Sequence, residues 1–212
     1  MKTQDQAYEL SLKLALEKLA GANAEGICAR TGAQPEGEGR IVVDYLNRSY
    51  VVSLPDGKVQ LKEGLEVPLK ERILILHYLT FAKGTPLSGS MLSYKQLPGI
   101  ASYYSVFYQL GLKPILERFG KNPGLLIDAA QNLGGHKVDY GDAAVTINPF
   151  PCVPITIALW RGDEEFPPQG SLMFDSTVSD YLPLEDLREV CQATARGLIR
   201  ISAQEKKKWN QN

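Results

Sequence analysis

Apolar side chains recur along this chain in two rhythms, and the switches between them mark out its elements. In residues 7–20, Leu10, Leu14, Leu16 and Leu19 return at helical spacing, with Glu9, Lys13, Glu17 and Lys18 between them. That predicts an amphipathic helix stopped at Gly21. Arg30 to Gly39 is rich in Gly, Glu and Pro and reads as a loop. From Arg40 the period shortens to two. Ile41, Val43 and Tyr45 alternate, Tyr50 to Leu54 continues in β-favouring residues, and Val59 and Leu61 return after Pro55-Asp56-Gly57. Proline presets φ and glycine accepts positive φ, so this segment predicts a three-stranded antiparallel meander.

Residues 68–81 are apolar almost all round. Leu69, Ile73, Leu76 and Thr80 take one face, and Leu74, Tyr78 and Phe81 another, which predicts a buried helix opened by Pro68. Gly84 to Gly99 reads as a loop. An aromatic helix is expected over 101–110, a short one from Pro114 to Phe119, and a third capped by Asn122-Pro123 and running to Leu133. Strands follow at 143–148, 153–160 and 171–174. In the second, Ile155, Ile157 and Leu159 alternate with Thr156, Ala158 and Trp160. The short Pro149-to-Cys152 connector favours an antiparallel pair. A last helix opens at Pro183 and runs to about Ile201, with a frayed tail expected over 203–212. Two meanders separated by helices predict an α+β fold: a single domain over 1–212, with mainly antiparallel strands in two meanders packed with helices.

Composition narrows the classes. A chain of 212 residues with 44% apolar and 22% charged residues is globular and long enough for a sizeable core. A net charge of −1 argues against a nucleic-acid partner, because phosphate neutralisation needs a basic excess. The one basic run, Lys206-Lys207-Lys208, reads as a solvated helix end. Cys28, Cys152 and Cys191 are odd in number and widely spaced, so neither a disulfide framework nor a cysteine-held metal is expected. No signal core and no apolar run of about 18 residues is present, which argues for the cytoplasm and against membrane association. Neither a cofactor nor an oligomeric state can be assigned from these residues.

Chemistry-bearing motifs are sparse. Residues 84–90 carry P-loop glycine spacing but lack its lysine and follow a helix, so phosphate binding there is rejected. Gly32, Gly37 and Gly39 precede a strand, the wrong context for a dinucleotide turn. Asp163-Glu164-Glu165 gathers three acids after an apolar strand; the turn reads first as a solvated or structural one, and second as carboxylates that could meet a hard cation or serve as a base. Asp139, Asp142, Asp175 and Asp180 could add oxygens. His77 reads as a core histidine with one hydrogen bond, and His136 as a loop residue. No G-x-S-x-G nucleophile elbow occurs. Tyr103, Tyr104, Phe107 and Tyr108 form two i,i+4 pairs that read as core packing.

The string from Phe150 to Pro167 (FPCVPITIALWRGDEEFP) resembles a known family. So do His77-Tyr78-Leu79, Lys83 to Gly89, Asp139 to Ala144, Leu172 to Ser176, and Tyr181 to Asp186. Together, over about residues 8–200, they are similar to the bacterial and archaeal domain of unknown function DUF3786. The resemblance implies a setting in anaerobes. Some members carry a cysteine-rich iron–sulfur module that this chain lacks, and the family supplies no assigned catalytic residues. The matching positions supply candidate ligand-binding residues: His77, Tyr78, Tyr140, Asp142, Trp160, Asp163, Glu164, Glu165 and Asp175. The leading expectation is a non-enzymatic small-molecule or cofactor-binding accessory protein of anaerobic metabolism. The alternative is a metal-assisted, possibly hydrolytic, enzyme using the Asp163-Glu164-Glu165 turn. A protein-interaction module using the Pro-rich loops stays open.

Overall fold

A computed structural model describes residues 2–209, with side chains from 6 to 204. The fold is α+β, with the strands in two antiparallel sheets. The chain groups into two compact units, one of residues 1–86, 150–152 and 177–186, the other of 87–149, 153–176 and 187–212. Among the described residues, no helix is long and apolar enough to cross a membrane.

The first unit contains α1 (Lys2–Ala20), α2 (Ala24–Thr31) and α3 (Leu69–Phe81), with strands β1 (Gln34–Pro35), β2 (Arg40–Tyr45), β3 (Arg48–Ser53) and β4 (Lys58–Leu61) in that order across the sheet. The expected meander is β2–β3–β4, and its alternation buries Ile41, Val43, Tyr45, Tyr50, Val52, Val59 and Leu61. Gly57 has φ +64, a left-handed conformation that favours glycine, and a Cβ there would press on the tip of Leu16. Pro68 precedes α3, whose Ile73, Leu74, Ile75, Leu76, Tyr78 and Leu79 are buried as the all-round pattern demands. A stack runs from Tyr45 through Phe150 to Tyr78, with centroids 4.7 and 4.2 Å apart. Two expectations need correction. Leu10 and Leu14 face outward; the inward stripe of α1 is half-buried Ser11 with buried Ala15 and Leu19, spaced i, i+4, i+8. Residues before Gly32 form α2, whose cap Asn23 accepts from the Gly26 N–H.

The second unit holds β5 (Met91–Ser93), α4 (Tyr104–Val106), α5 (Lys113–Phe119), α6 (Gly124–Gln131), β6 (His136–Val138), β8 (Val153–Trp160), β9 (Gln169–Asp175), and most of β7 (Ala143–Phe150) and α7 (Leu184–Trp209). The sheet order is β5-β9-β8-β7-β6, which puts the apolar β8 at its centre. On one face Ile155, Ile157, Leu159, Leu172 and Phe174 are fully or almost fully buried. Phe107 meets Phe174 edge-on there, and Gly111 lies against Leu172 and Cys191. A π-helical turn over Phe107–Leu112 joins α4 to α5, so the expected break at Gly111 is a bulge within one helical run. Phe107 is buried, but Tyr104 is exposed and stacks on Tyr94 at 5.5 Å. Part of the expected 84–99 loop is strand β5, and His136 sits in β6 rather than a loop. α6 begins without a side-chain cap hydrogen bond. The final helix continues beyond Ile201 to Trp209; Asn210 to Asn212 and the Lys206-Lys207-Lys208 side chains lie outside the described residues.

Candidate functional site

The face of the second sheet opposite its apolar core carries the candidate site. Strand alternation puts Thr156, Ala158 and Trp160 of β8 on this face. Thr156 pairs with Met173 and Ala158 with Ser171, so β9 adds Ser171 and Met173 to the same surface. β5 contributes Ser93 opposite Met173, and β6 contributes Val138 opposite Ala144. Ala144, Ala158 and Met173 form an apolar floor against which Val138 packs. Hydroxyls break that floor: Thr146 and Thr156 bond to each other at 2.7 Å, and Ser93 and Ser171 lie 3.5 Å apart. A groove of about 490 Å³ results, with Met91, Gln96, Asp139, Tyr140 and Trp160 among its walls.

One wall is built by a turn. Gly141 has φ +59, and a Cβ there would meet the Leu159 carbonyl oxygen at 2.7 Å, so only glycine lets the 139–142 segment lie against the end of β8. The Asp142 N–H donates to the Leu159 carbonyl at 2.9 Å, and the Arg161 N–H donates to Asp142 Oδ2 at 2.7 Å. So pinned, Tyr140 meets Trp160 edge-to-face at 5.7 Å, and both rings stay partly exposed to solvent, 52% and 37%. Of the expected site residues, Tyr140 and Trp160 therefore line the groove together, while Asp142 fixes the turn that places them.

Two of the remaining carboxylates, those of Asp163 and Asp175, have backbone partners. Asp163 Oδ1 accepts from the Glu165 and Phe166 N–H groups at 2.9 and 2.7 Å, an Asx turn that folds the acidic segment on itself. Glu164 and Glu165 are exposed. Asp175, 3% exposed, accepts from the Ser88 N–H, the Ser88 hydroxyl and the Gly89 N–H at 3.1, 3.0 and 2.8 Å. The P-loop-like string thus aims its amides at a carboxylate of its own chain. Among the described residues, no group of three or more His, Cys, Asp or Glu side chains could hold a metal ion.

His77 and Tyr78 belong to the first unit. The Tyr78 hydroxyl donates to the Thr31 carbonyl at 2.6 Å and accepts from the Cys152 N–H at 3.2 Å. Burial, with the nearby Cys152 adding to it, holds this phenol well above its ordinary pKa. His77 has two polar partners rather than the expected one: Nδ1 lies 2.7 Å from Asp186 Oδ2, and Nε2 lies 3.0 Å from Ser11 Oγ. The Phe81 ring meets the imidazole edge-on at 5.1 Å.

Sequence reasoning missed the groove hydroxyls, although Thr156 set between Ile155 and Ile157 signals a polar-facing position on an apolar strand. It also missed Ser11 and Asp186, which only folding brings to His77. An α+β protein with an open, hydroxyl-lined sheet face and an aromatic wall is the class these features define. The chain belongs to the family described as Domain of unknown function (DUF3786), whose profile matches residues 23–196. No curated protein and no solved structure matches the chain.

Proposed function

We propose that this chain is a binding or accessory protein whose sheet groove takes a small, flat, uncharged molecule. The observation that carries the reading is the groove itself, about 490 Å³ with the Tyr140–Trp160 pair on its wall, a volume within the small-molecule range. An aromatic edge-to-face pair offers a stacking surface. The Thr146–Thr156 and Ser93–Ser171 hydroxyls offer donors and acceptors on the floor. Among the described residues, the lining holds one carboxylate, Asp139, and no Lys, Arg or His, which disfavours a phosphate-bearing ligand. An anaerobic setting is part of this proposal and rests on the family resemblance alone. A catalytic role for the acidic turn has less support, because Asp163 spends an oxygen on its own backbone.

Native mass spectrometry of protein purified under anaerobic conditions, with absorbance of the released extract, tests this. A bound small molecule should accompany the wild-type chain and be lost in W160A with the fold retained. Binding unchanged in both W160A and T156V would refute the groove assignment.

A further inference from the structure

Ser11, His77 and Asp186 come from α1, α3 and the first turn of α7, all within the first unit. An ionised carboxylate only accepts hydrogen bonds, so the 2.7 Å contact to Asp186 Oδ2 places the imidazole proton on Nδ1. In its neutral form the ring presents the Nε2 lone pair to Ser11 Oγ, 3.0 Å away and within reach for proton abstraction. The His77 and Asp186 side chains are only 14% and 12% exposed, which limits competition from water. Asp186 stands at a helix N-terminus, where negative charge is favoured. Ser11 lies on the inward stripe of its helix yet stays half-buried rather than sealed.

We propose that Ser11 is an activated nucleophile, with His77 as general base and Asp186 as the positioning carboxylate, toward esters or thioesters with good leaving groups. Ser11 Oγ attacks the acyl carbon while its proton passes to His77 Nε2. The carbon–leaving-group bond breaks, and the leaving group takes that proton. Water, deprotonated by the same nitrogen, then attacks the acyl-serine; the free acid departs and Ser11 recovers its proton. The amide of a mid-helix serine is committed to the helix, so this centre suits acyl donors whose reaction needs little oxyanion stabilisation. Ser11 precedes the family-matched residues 23–196, so the activity is assigned to this chain and not to the family.

The test treats the full chain with a fluorophosphonate probe and with p-nitrophenyl acetate, followed by peptide mapping. The expected result is one adduct on Ser11, absent in S11A. In D186N, which keeps the shape but not the acceptor that fixes the imidazole proton, the rate of adduct formation should fall at least 100-fold, since loss of the correct tautomer costs ~10⁴-fold in serine proteases. H77Q should lose the adduct while near-UV circular dichroism stays native; if H77Q does not fold, D186N decides. No adduct on Ser11, or labelling that D186N leaves within threefold of wild type, overturns the proposal.

Discussion

Replacing Asp175 with Asn removes one acceptor and one charge from the turn over residues 88–90. In the native turn, Oδ1 takes both the Ser88 N–H and the Ser88 hydroxyl, and Oδ2 takes the Gly89 N–H. An Asn that keeps its oxygen toward Ser88 turns its NH₂ toward Gly89, so a donor faces a donor 2.8 Å away in the native spacing. Losing one hydrogen bond to a charged group costs about 1.5–3 kcal/mol and the other two lose their charge assistance, while relief from burying the charge offsets part of the sum, so the turn should lose about 2–3 kcal/mol. At 1.4 kcal/mol per factor of ten, hydrogen exchange at the Ser88 and Gly89 amides should quicken roughly 30- to 150-fold. Exchange read amide by amide is the right assay, because it does not require the whole chain to unfold in one step. S88A removes only the hydroxyl donor and should give a smaller acceleration. Amide protection within threefold of wild type in D175N would refute the reasoning, and would return Asp175 to the pool of ligand-facing carboxylates.

Y78F keeps the stack on Phe150 but leaves the Thr31 carbonyl and the Cys152 N–H without their partner, and should destabilise the first unit by about 2–4 kcal/mol in urea titration. An effect below about 0.5 kcal/mol would show that water replaces the hydroxyl. Burial holds the Cys191 thiol far above its ordinary pKa, so iodoacetamide at neutral pH should modify it only in guanidinium; modification of the native chain would contradict that burial. Hydrogen bonds from Lys83 and then Thr85 hold the Asp180 carboxyl below its ordinary value. Its stabilising effect is therefore complete above about pH 3.9, the unfolded value, and fades as pH falls through the lower folded one. Carboxyl-carbon NMR should show Asp180 titrating higher in K83M than in wild type, and an unchanged midpoint would remove Lys83 as the cause.

The fold was legible where one rhythm governed a long segment. Ile41–Val43–Tyr45 and Ile155–Ile157–Leu159 needed nothing beyond alternation, and both became strands with those residues buried. It was least legible where short elements depend on a distant partner. β5 is strand because Met91 to Ser93 pair with Asp175 to Met173, far along the chain, and no local preference encodes that. α1 misled in another way. Its leucines suggested the inward face, but the partner helix α3 accepts the Ser11–Ala15–Leu19 stripe, and tertiary packing overrode the local count of apolar residues. Tyr140 and Trp160 were readable as candidates, but their edge-to-face contact depends on the backbone approach that Gly141 allows.

The acidic residues show why a site is harder to read than a fold. Asp and Glu carry the same charge, yet the shorter Asp side chain reaches N–H groups two and three residues on, as Asp163 does toward Glu165 and Phe166. A turn rich in Gly and Pro therefore draws Asp into its own backbone and leaves Glu outside. In the 162–168 segment this division assigns the fold to Asp163 and leaves Glu164 and Glu165 as the carboxylates exposed to solvent. Asp142 follows the same logic with one difference: its oxygen reaches across to Arg161 N–H, so the fixed turn carries Tyr140 to the rim of the groove. Asp142, Asp163 and Asp175, which looked like ligands in the sequence, are thus part of the frame, and the groove is lined by the two aromatic rings, Asp139, and the threonine and serine hydroxyls on its floor.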